Sequence, residues 1–439
     1  MKKLALLFGV CLLLVISNSC KTESSQLEGL SFKEQLAVLF PNAIIDSLVA
    51  KDHFTKRYEL TIQQPLDHSN PEEGTFEHHI FISHAGYEQP NLLITTGYAA
   101  RNNTYELSKA FKMNQVLVEY RFYGKSRPDS IPWKYLTNDN ALADYHAIST
   151  QLKKIYKNKW MSTGISKGGE NVMMYKAKYP YDMDIGVPYV APLINTREDV
   201  RTINHINALG SEICDLSLFD TQRMVLERKA EILPVLAEYM NEKKYEFTEL
   251  TLEEALEYAV LEYPFSFLQW GGKCNEIPSV NSDALTVVKH INNVVGFWVY
   301  SDTGIENALP SFYQHMIELG YYGFEIEPLK DLLSVVKSSS NIRFAPKGVE
   351  LNYDQNYIKN VRDYIETKGD KLVYIYGELD PWYACAPNPK DEVDALKMVL
   401  KGGSHATRIR DFPEQDQITI YKQLQDWLGG AALYLGEDK

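Results

Sequence analysis

Residues 164–168 read Gly-Ile-Ser-Lys-Gly, a G-x-S-x-G pattern that places a serine where a strand turns sharply into a helix. Glycines two positions on either side of Ser166 suit such a turn, because strand and helix approach each other too closely for a Cβ atom. The pattern also occurs in ordinary turns whose serine only caps the helix. Ser166 is therefore a candidate nucleophile that needs a base and an acid elsewhere in the chain.

Composition predicts a folded globular protein and argues against one class of partner. The chain has 439 residues, of which 45% are hydrophobic and 12% aromatic, enough for a large core. The formal net charge of −13 argues against a nucleic-acid-binding surface.

The N-terminal segment is typical of an export signal. Two lysines precede an apolar run over residues 4–16, which is long enough for a signal peptide and too short to span a bilayer. Small residues then lead to Cys20, as at a bacterial lipidation site. We predict a signal peptide at 1–19, a lipid-anchored tether and lead-in at 20–55, a cell-envelope location, and membrane contact through the lipid anchor only. Plain secretion after cleavage near Ser19, or a hydrophobic N-terminal helix, is the alternative.

The other cysteines leave two interpretations open. A disulfide between Cys214 and Cys274 is compatible with the sequence, and so are three buried free thiols that include Cys385. No Cys-x-x-Cys or His/Cys spacing indicates zinc, so the sequence predicts neither a metal nor a cofactor.

Strand and helix patterns alternate along the first half of the chain. A hairpin is predicted from residues 58–62 and 75–82, and apolar strands at 91–96, 115–121 and 184–190. Helices are predicted between these strands at about 105–111 and 140–155. Nearly continuous apolar strands separated by helices indicate a mainly parallel sheet that is covered on both faces.

The predicted secondary structure changes from alternating strands and helices to mostly helices at about residue 196. Helical patterns dominate as far as 355, with interruptions predicted at Pro234 and Pro264, before a strand at 371–376 and a last helix at 413–428. This order predicts one α/β hydrolase core, residues 56–195 plus 356–439, with a mostly helical lid at 196–355.

A base and an acid follow Ser166 in the order that an α/β-hydrolase uses. Asp380 comes directly after the late strand, and His405 is the single histidine C-terminal to it, in a glycine-rich loop before the last helix. Glu378 is the alternative acid. The oxyanion hole would use the backbone N–H groups of Lys167 and of Tyr98, although Tyr98 could instead serve packing. The Lys167 side chain is expected to be either solvated or paired with an acid.

Five sequence blocks occur in a fixed order along the chain: Glu119-Tyr-Arg-Phe-Tyr-Gly124, Ala143-Asp-Tyr145, Gly164–Gly169, Gly377–Trp382 and Gly403-Ser-His405. Together they resemble serine peptidase family thirty-seven, the secreted bacterial tripeptidyl and prolyl tri/tetrapeptidyl aminopeptidases, and the resemblance spans about residues 63–428. The chain is also similar to the prolyl carboxypeptidase and dipeptidyl peptidase family, in which a tyrosine usually follows the serine where Lys167 stands here.

The resemblance implies a helical lid, short peptides as substrates, cleavage counted from a free N-terminus, and often proline before the scissile bond. It also implies that Phe267 and Trp270 line the peptide pocket, although packing within the lid core is an equal alternative for these rings. The carboxylate that would hold the substrate amine stays open among Glu170, Glu262 and Glu276.

Other functions remain open at this point. The same triad could hydrolyse an ester in an acylated glycan or lipid, or release residues from a peptide C-terminus in the manner of a prolyl carboxypeptidase. A non-enzymatic lipoprotein that binds peptides is a third reading, which the ordered serine, acid and histidine disfavour.

Overall fold

The computed structural model describes residues 26–214 and 218–435, so the predicted signal peptide and Cys20 lie outside the described residues. One sheet of nine strands runs through the described part of the chain, in the order β1-β2-β3-β5-β4-β6-β7-β8-β9. The strands are β1 (Ile44–Leu48), β2 (Lys56–Pro65), β3 (Thr75–His84), β4 (Asn91–Thr95), β5 (Asn114–Val118), β6 (Trp160–Ile165), β7 (Ile185–Tyr189), β8 (Leu372–Gly377) and β9 (Ala395–Leu400).

The sheet is antiparallel at one end and parallel elsewhere. β1, β2 and β3 pair in antiparallel fashion, β3 also pairs antiparallel with β5, and every later pair is parallel. The predicted hairpin is therefore present as β2 and β3. Two strands were not predicted, β1 within the lead-in and β9 at the far edge.

Helices cover both faces of the sheet. Successive side chains of β8 point to opposite faces of the sheet. Leu372 and Tyr374 belong to the apolar cluster on one face, and Val373 and Ile375 belong to the cluster on the other. One face is covered by α3 (Asn138–Leu152), α4 (Lys167–Lys178) and α11 (Tyr357–Lys368), the other by α2 (Glu106–Phe111) and α12 (Glu414–Trp427), while α1 (Phe32–Leu39) packs beside β2 and β3.

The lid has its own apolar core, which is distinct from the two sheet faces. Its helices are α5 (Arg201–Ile213), α6 (Leu218–Glu227), α7 (Lys229–Lys243), α8 (Leu252–Gln269), α9 (Ala284–Val294) and α10 (Asp302–Gln314). The chain thus has the predicted α/β-hydrolase fold with a largely helical lid.

The predicted interruptions at Pro234 and Pro264 are wrong, because both prolines lie inside helices, in α7 and α8 respectively. An internal proline removes one helical hydrogen bond at a cost of about 3 kcal/mol. Burial of apolar neighbours offsets this cost, since Leu236 in α7 and Phe265 in α8 are buried in the lid core.

Cysteine pairing and membrane spans can be stated for the described residues. A disulfide joins Cys214, at the end of α5, to Cys274 in the loop after α8, and Cys385 is a buried free thiol. Within 26–214 and 218–435, no helix has the length and apolar character needed to cross a bilayer.

Candidate active site

Ser166 occupies a strained bend between β6 and α4. Its backbone angles are φ 57° and ψ −128°, and its N–H donates to the Tyr189 carbonyl at 2.9 Å. A non-glycine residue at such angles costs about 1–3 kcal/mol, a strain that the surrounding packing must hold. A Cβ on Gly164 would stand 2.1 Å from the Gly168 carbonyl oxygen, so this close crossing of strand and helix requires glycine.

The loop after β4 lies directly against this bend. A Cβ on Gly97 would stand 2.6 Å from the Cβ of Lys167 and 2.8 Å from the Gly168 nitrogen. Lys167 is the first residue of α4, where N–H groups have no acceptor within the helix. The two segments predicted to supply oxyanion donors are therefore in contact.

The side chain of Tyr98 also faces the candidate nucleophile. Desolvation of the hydroxyl raises the pKa of Tyr98, and the neighbouring hydroxyls of Ser166 and Ser311 oppose this rise. The sequence predicted a backbone role for Tyr98, with side-chain packing as the alternative, and did not predict that its hydroxyl neighbours Ser166.

Glu119 fixes the position of the Tyr98 loop, which sequence reasoning did not predict. Its carboxylate accepts the Ala100 N–H at 3.0 Å, and both the N–H and the hydroxyl of Ser126 at 2.8 Å. Arg121, two residues later in the same sequence block, forms a bidentate ion pair with Asp144, in which both N···O distances are 2.8 Å. The Glu119-Tyr-Arg block thus holds the loops beside Ser166 to the core.

Asp380 and His405 form a buried pair at the same edge of the sheet. His405 Nδ1 and Asp380 Oδ2 are 2.6 Å apart, and Asp380 also accepts the Trp382 N–H at 3.2 Å. Because β6 and β8 belong to one parallel run, the residues that follow them emerge at a common edge. Glu378, the alternative acid, instead accepts the Gly402 N–H at 2.9 Å.

The C-terminal end of α8 supports the histidine from the lid side. The backbone N–H of His405 donates to the backbone carbonyl of Gln269 at 2.8 Å. The Trp270 ring meets the His405 ring edge to face, with centroids 5.5 Å apart. The lid therefore contributes directly to the placement of the candidate base.

The Lys167 side chain is neither solvated nor paired with an acid, so both predictions for it are wrong. It is buried, and its ammonium group donates to Gln314 Oε1 at 2.6 Å and lies 4.1 Å from the centre of the Tyr120 ring. Burial lowers its pKa to about 7, although the charges of Glu170 and Glu318 oppose this shift. Gln314 belongs to α10, so this contact joins the lid to the bend at Ser166.

A cavity of about 410 Å³, here called the lid cavity, opens beside Tyr98. This volume lies in the range of about 300–1,000 Å³ that is usual for small-ligand sites. Aromatic rings dominate its lining, which consists of Tyr98, Tyr123, Glu262, Ser266, Trp270, Val295, Trp298, Val299, Tyr300, Gly304, Asn307, Ala308, Ser311, Phe312, Tyr321, Tyr322, Phe324, Asn341 and Phe344.

The two predicted pocket rings have different surroundings. Trp270 is 59% exposed and lines the lid cavity. Phe267 is 1% exposed, packs against Tyr263 and Gly272, and is not among the residues that line this cavity. The structure therefore places Phe267 in the lid core, the alternative given above.

Only one of the three candidate amine-binding carboxylates faces the lid cavity. Glu262 lines it, with one oxygen accepting the Ser266 hydroxyl at 2.9 Å and the other accepting the Tyr322 hydroxyl. Glu170 is buried behind Ser166, and burial raises its pKa to about 8. Glu276 is exposed and pairs with Lys273.

No group of three or more side chains that could hold a metal ion occurs in the described part of the chain. The arrangement at this edge is that of a serine in a strained bend and a buried imidazole–carboxylate pair, and Trp270 connects this pair to the lid cavity.

Comparison with known proteins finds several relatives. The chain is 27% identical over 390 residues to a prolyl tri/tetrapeptidyl aminopeptidase of Streptomyces mobaraensis, covering 87% of this chain and 82% of the relative. It is 22% identical over 437 residues to the "Probable serine protease EDA2" of Arabidopsis thaliana, covering 87% of each chain. The solved structure of a proline iminopeptidase of Mycobacterium smegmatis is also similar. It is 12% identical, the match covers 84% of this chain and 99% of that chain, and the TM-score is 0.41.

A family model gives the assignment. The model described as PS-10 peptidase S37 matches residues 35–438, which include Ser166, Asp380 and His405. The match covers the sheet, both helical layers and the whole lid. The chain belongs to the S37 family of serine peptidases.

Proposed function

We propose that this serine peptidase is an exported exopeptidase that removes tri- or tetrapeptides from free N-termini, including after proline. One observation carries the proposal: in a chain of the S37 family, the strained Ser166 and the buried Asp380–His405 pair follow strands of one parallel run, and Trp270 of the lid cavity contacts His405. Tyr98 and Trp270 both line that cavity, and the Trp270 ring contacts the His405 ring.

In the proposed mechanism, Ser166 Oγ attacks the scissile carbonyl carbon while His405 Nε2 accepts the hydroxyl proton. Asp380 accepts the Nδ1–H of His405 and so selects the tautomer that leaves Nε2 free as a base. The C–N bond then breaks, and His405 returns the proton to the leaving amine. Water next attacks the acyl-enzyme, with His405 again as base, and releases the peptide acid and Ser166.

The oxyanion of each tetrahedral intermediate would be held by the backbone N–H groups of Lys167 and Tyr98. The contact of Gly97 with Lys167 supports this placement, because it brings both donors to the bend. Removal of one such donor commonly costs about 10²–10³ in kcat.

Substrate preference is inferred from the cavity and from the named relative. Trp270 and the tyrosines of the lid cavity offer apolar faces on which a proline ring can pack. The relative from Streptomyces mobaraensis is named for release of prolyl tri- and tetrapeptides, and we extend that specificity to this chain.

Export to the cell envelope, with a lipid on Cys20, is also proposed. The Cys214–Cys274 disulfide supports it, since disulfides persist mainly in oxidising compartments. Mass spectrometry of the native N-terminus would test this directly. A diacylglyceryl-modified Cys20 is expected, and an intact Met1 or an unmodified N-terminus near Ser19 would contradict it.

The test of the activity uses peptides that carry proline at successive positions, with products identified by mass. The wild-type protein should release an intact tri- or tetrapeptide from the N-terminus, and Ser166→Ala should release none. Release from the C-terminus would indicate a carboxypeptidase instead. Fluorophosphonate labelling of Ser166 without peptide cleavage would indicate an esterase, and neither labelling nor cleavage would indicate a binding protein.

A further inference from the structure

Glu262 is a carboxylate buried in an otherwise aromatic cavity. It is 9% exposed and lines the lid cavity together with the aromatic rings described above. Its oxygens accept hydrogen bonds from the Ser266 and Tyr322 hydroxyls. Each carboxylate oxygen has more than one lone pair, so both can accept a further donor from a ligand.

No cation compensates this carboxylate in the described part of the chain, where no lysine, arginine or histidine forms an ion pair with it. Uncompensated buried carboxylates are costly and therefore uncommon outside functional sites. Burial raises the pKa of Glu262 to about 7, against the opposing effect of its two hydroxyl donors. A ligand that brings a positive charge would restore the ionised form.

The position of Glu262 along α8 provides a length scale. Glu262 lies eight residues before Trp270, which contacts His405, and both residues line the lid cavity. Eight residues of α-helix rise about 12 Å. An extended peptide covers about 3.3–3.6 Å per residue, so three to four residues span the same distance.

We propose that Glu262, with Ser266 and Tyr322, forms the subsite that binds the α-ammonium group of the peptide substrate and thereby sets the length of the released fragment. The substrate class is a peptide with a free, protonated N-terminus. The ammonium group donates to the Glu262 carboxylate while the third or fourth residue presents its carbonyl to Ser166. This assignment rests on the proposed aminopeptidase function and deepens it.

The other two carboxylates do not fit this role. Glu170 lies beneath the bend and does not line the lid cavity, although one of its oxygens has no hydrogen-bond partner. Glu276 is exposed, paired with Lys273, and lines a neighbouring space instead. Glu276 is therefore a matched control: the same residue type, in the same lid, outside the cavity.

The test compares Glu262→Gln and Glu276→Gln on a tripeptidyl fluorogenic substrate and on its N-acetylated twin. Glutamine keeps the size and the acceptor oxygen of Glu262 and removes the charge. For the free substrate, Glu262→Gln should lower kcat/KM by about 10- to 100-fold, mostly through KM, because a charge-assisted hydrogen bond is lost. The acetylated twin, which lacks the ammonium group, should not be cleaved detectably by the wild type or by Glu262→Gln, and Glu276→Gln should resemble the wild type on both substrates.

Fluorophosphonate labelling of Ser166 separates the possible failures. A Glu262→Gln variant that labels at the wild-type rate is folded and has an intact triad, so its loss of affinity reports on the amine subsite. Unchanged kcat/KM for the free substrate in that variant would overturn the inference while leaving the peptidase proposal intact. If Glu262→Gln does not fold, Glu262→Asp serves instead, with a smaller rise in KM expected and an unchanged KM contradicting the inference. Wild-type protein that labels but cleaves neither substrate would refute the proposed function itself.

Discussion

The sheet edge around Ser166 and the lid cavity around Glu262 are built on different principles. At the edge, backbone geometry dominates: a strained serine, glycines at close crossings, and a histidine fixed by one carboxylate. In the lid cavity, side chains dominate, with aromatic rings contributed by separate helices and loops around one carboxylate. We infer that the edge performs the chemistry and that the lid selects the substrate.

The contact between the two regions shows how they depend on each other. Gln269 and Trp270 of the lid contact His405, and Gln314 of the lid accepts a hydrogen bond from Lys167. Changes at the edge should therefore reduce turnover of every substrate. Changes in the cavity should distinguish one substrate from another.

The largest effect is expected from Ser166→Ala. Removal of the nucleophile should lower kcat by at least about 10⁴-fold for free peptides and for esters alike, because both reactions pass through the same acyl-enzyme. Steady-state kinetics on both substrate types would measure it. A nearby control is Ser404→Ala, a loop serine without a proposed role, which should retain most activity. Loss of peptidase activity alone would mean that ester hydrolysis occurs elsewhere.

Asp380→Asn should have the next largest effect, a fall in kcat of about 10³- to 10⁴-fold. The amide can donate to His405 Nδ1 and so stabilise the wrong tautomer of the ring. The alternative acid provides the control, since Glu378→Gln alters only a contact to Gly402 and should stay within a few-fold of wild type. A larger loss of activity in Glu378→Gln than in Asp380→Asn would show that Glu378, and not Asp380, is the acid that orients His405.

Glu119→Ala should reduce kcat by about 10-fold or more with a smaller change in KM. Its carboxylate holds the loop that carries Tyr98, so its loss should displace one oxyanion donor without removing it. Glu119→Gln retains an acceptor and should recover part of the rate. Glu59→Gln, whose carboxylate contacts Lys125 and His79 instead, is the matched control. A change in KM alone would show that Glu119 supports substrate binding and not the oxyanion hole.

The smallest effect concerns stability, and it is confined to the lid. The native state favours protonated Glu262, whose pKa is raised to about 7, whereas the unfolded carboxyl ionises near 4.5. Between these values the unfolded state binds fewer protons, so the free energy of unfolding should fall as pH rises, by about 3 kcal/mol for this group. Above about pH 7 its contribution should be constant.

The groups that face Glu262 are Ser266, Tyr322, Tyr300 and Tyr321, and among them no base titrates in this window. Other buried carboxyls, including Glu318 with a pKa raised to about 7, add to the same slope. Urea unfolding of wild type and Glu262→Gln at several pH values isolates the difference. An equal slope in both proteins would show that Glu262 is ionised in the empty cavity.

The two regions differ in how much of each could be predicted from the sequence. The edge was predictable because its parts are local or ordered: G-x-S-x-G dictates a bend, and Asp380 and His405 follow in one order after a recognisable strand. Sheet strands with continuous apolar runs, such as β4 and β8, were equally clear. β1 and β9 were missed because one is largely exposed and the other half-buried, so neither carries a strong apolar signal.

The lid was harder to predict from the sequence, because its structure depends on contacts between residues that are far apart in the chain. Helix packing overrides Pro234 and Pro264, and burial rather than local sequence decides the partner of Lys167. The role of Glu262 depends on which residues from separate loops close around it, including Tyr322, sixty residues later. No local pattern distinguishes it from Glu170 or Glu276, so the sequence left all three open.

We infer that the triad at the sheet edge cleaves only peptides whose free N-terminus is bound in the lid cavity. The most direct measurement incubates wild-type protein with one decapeptide that carries proline at its third position and with its N-acetylated twin, and follows both by mass spectrometry. We expect an N-terminal tripeptide from the free peptide and no product from the twin. Equal cleavage of both peptides, or release from the C-terminus, would contradict the account.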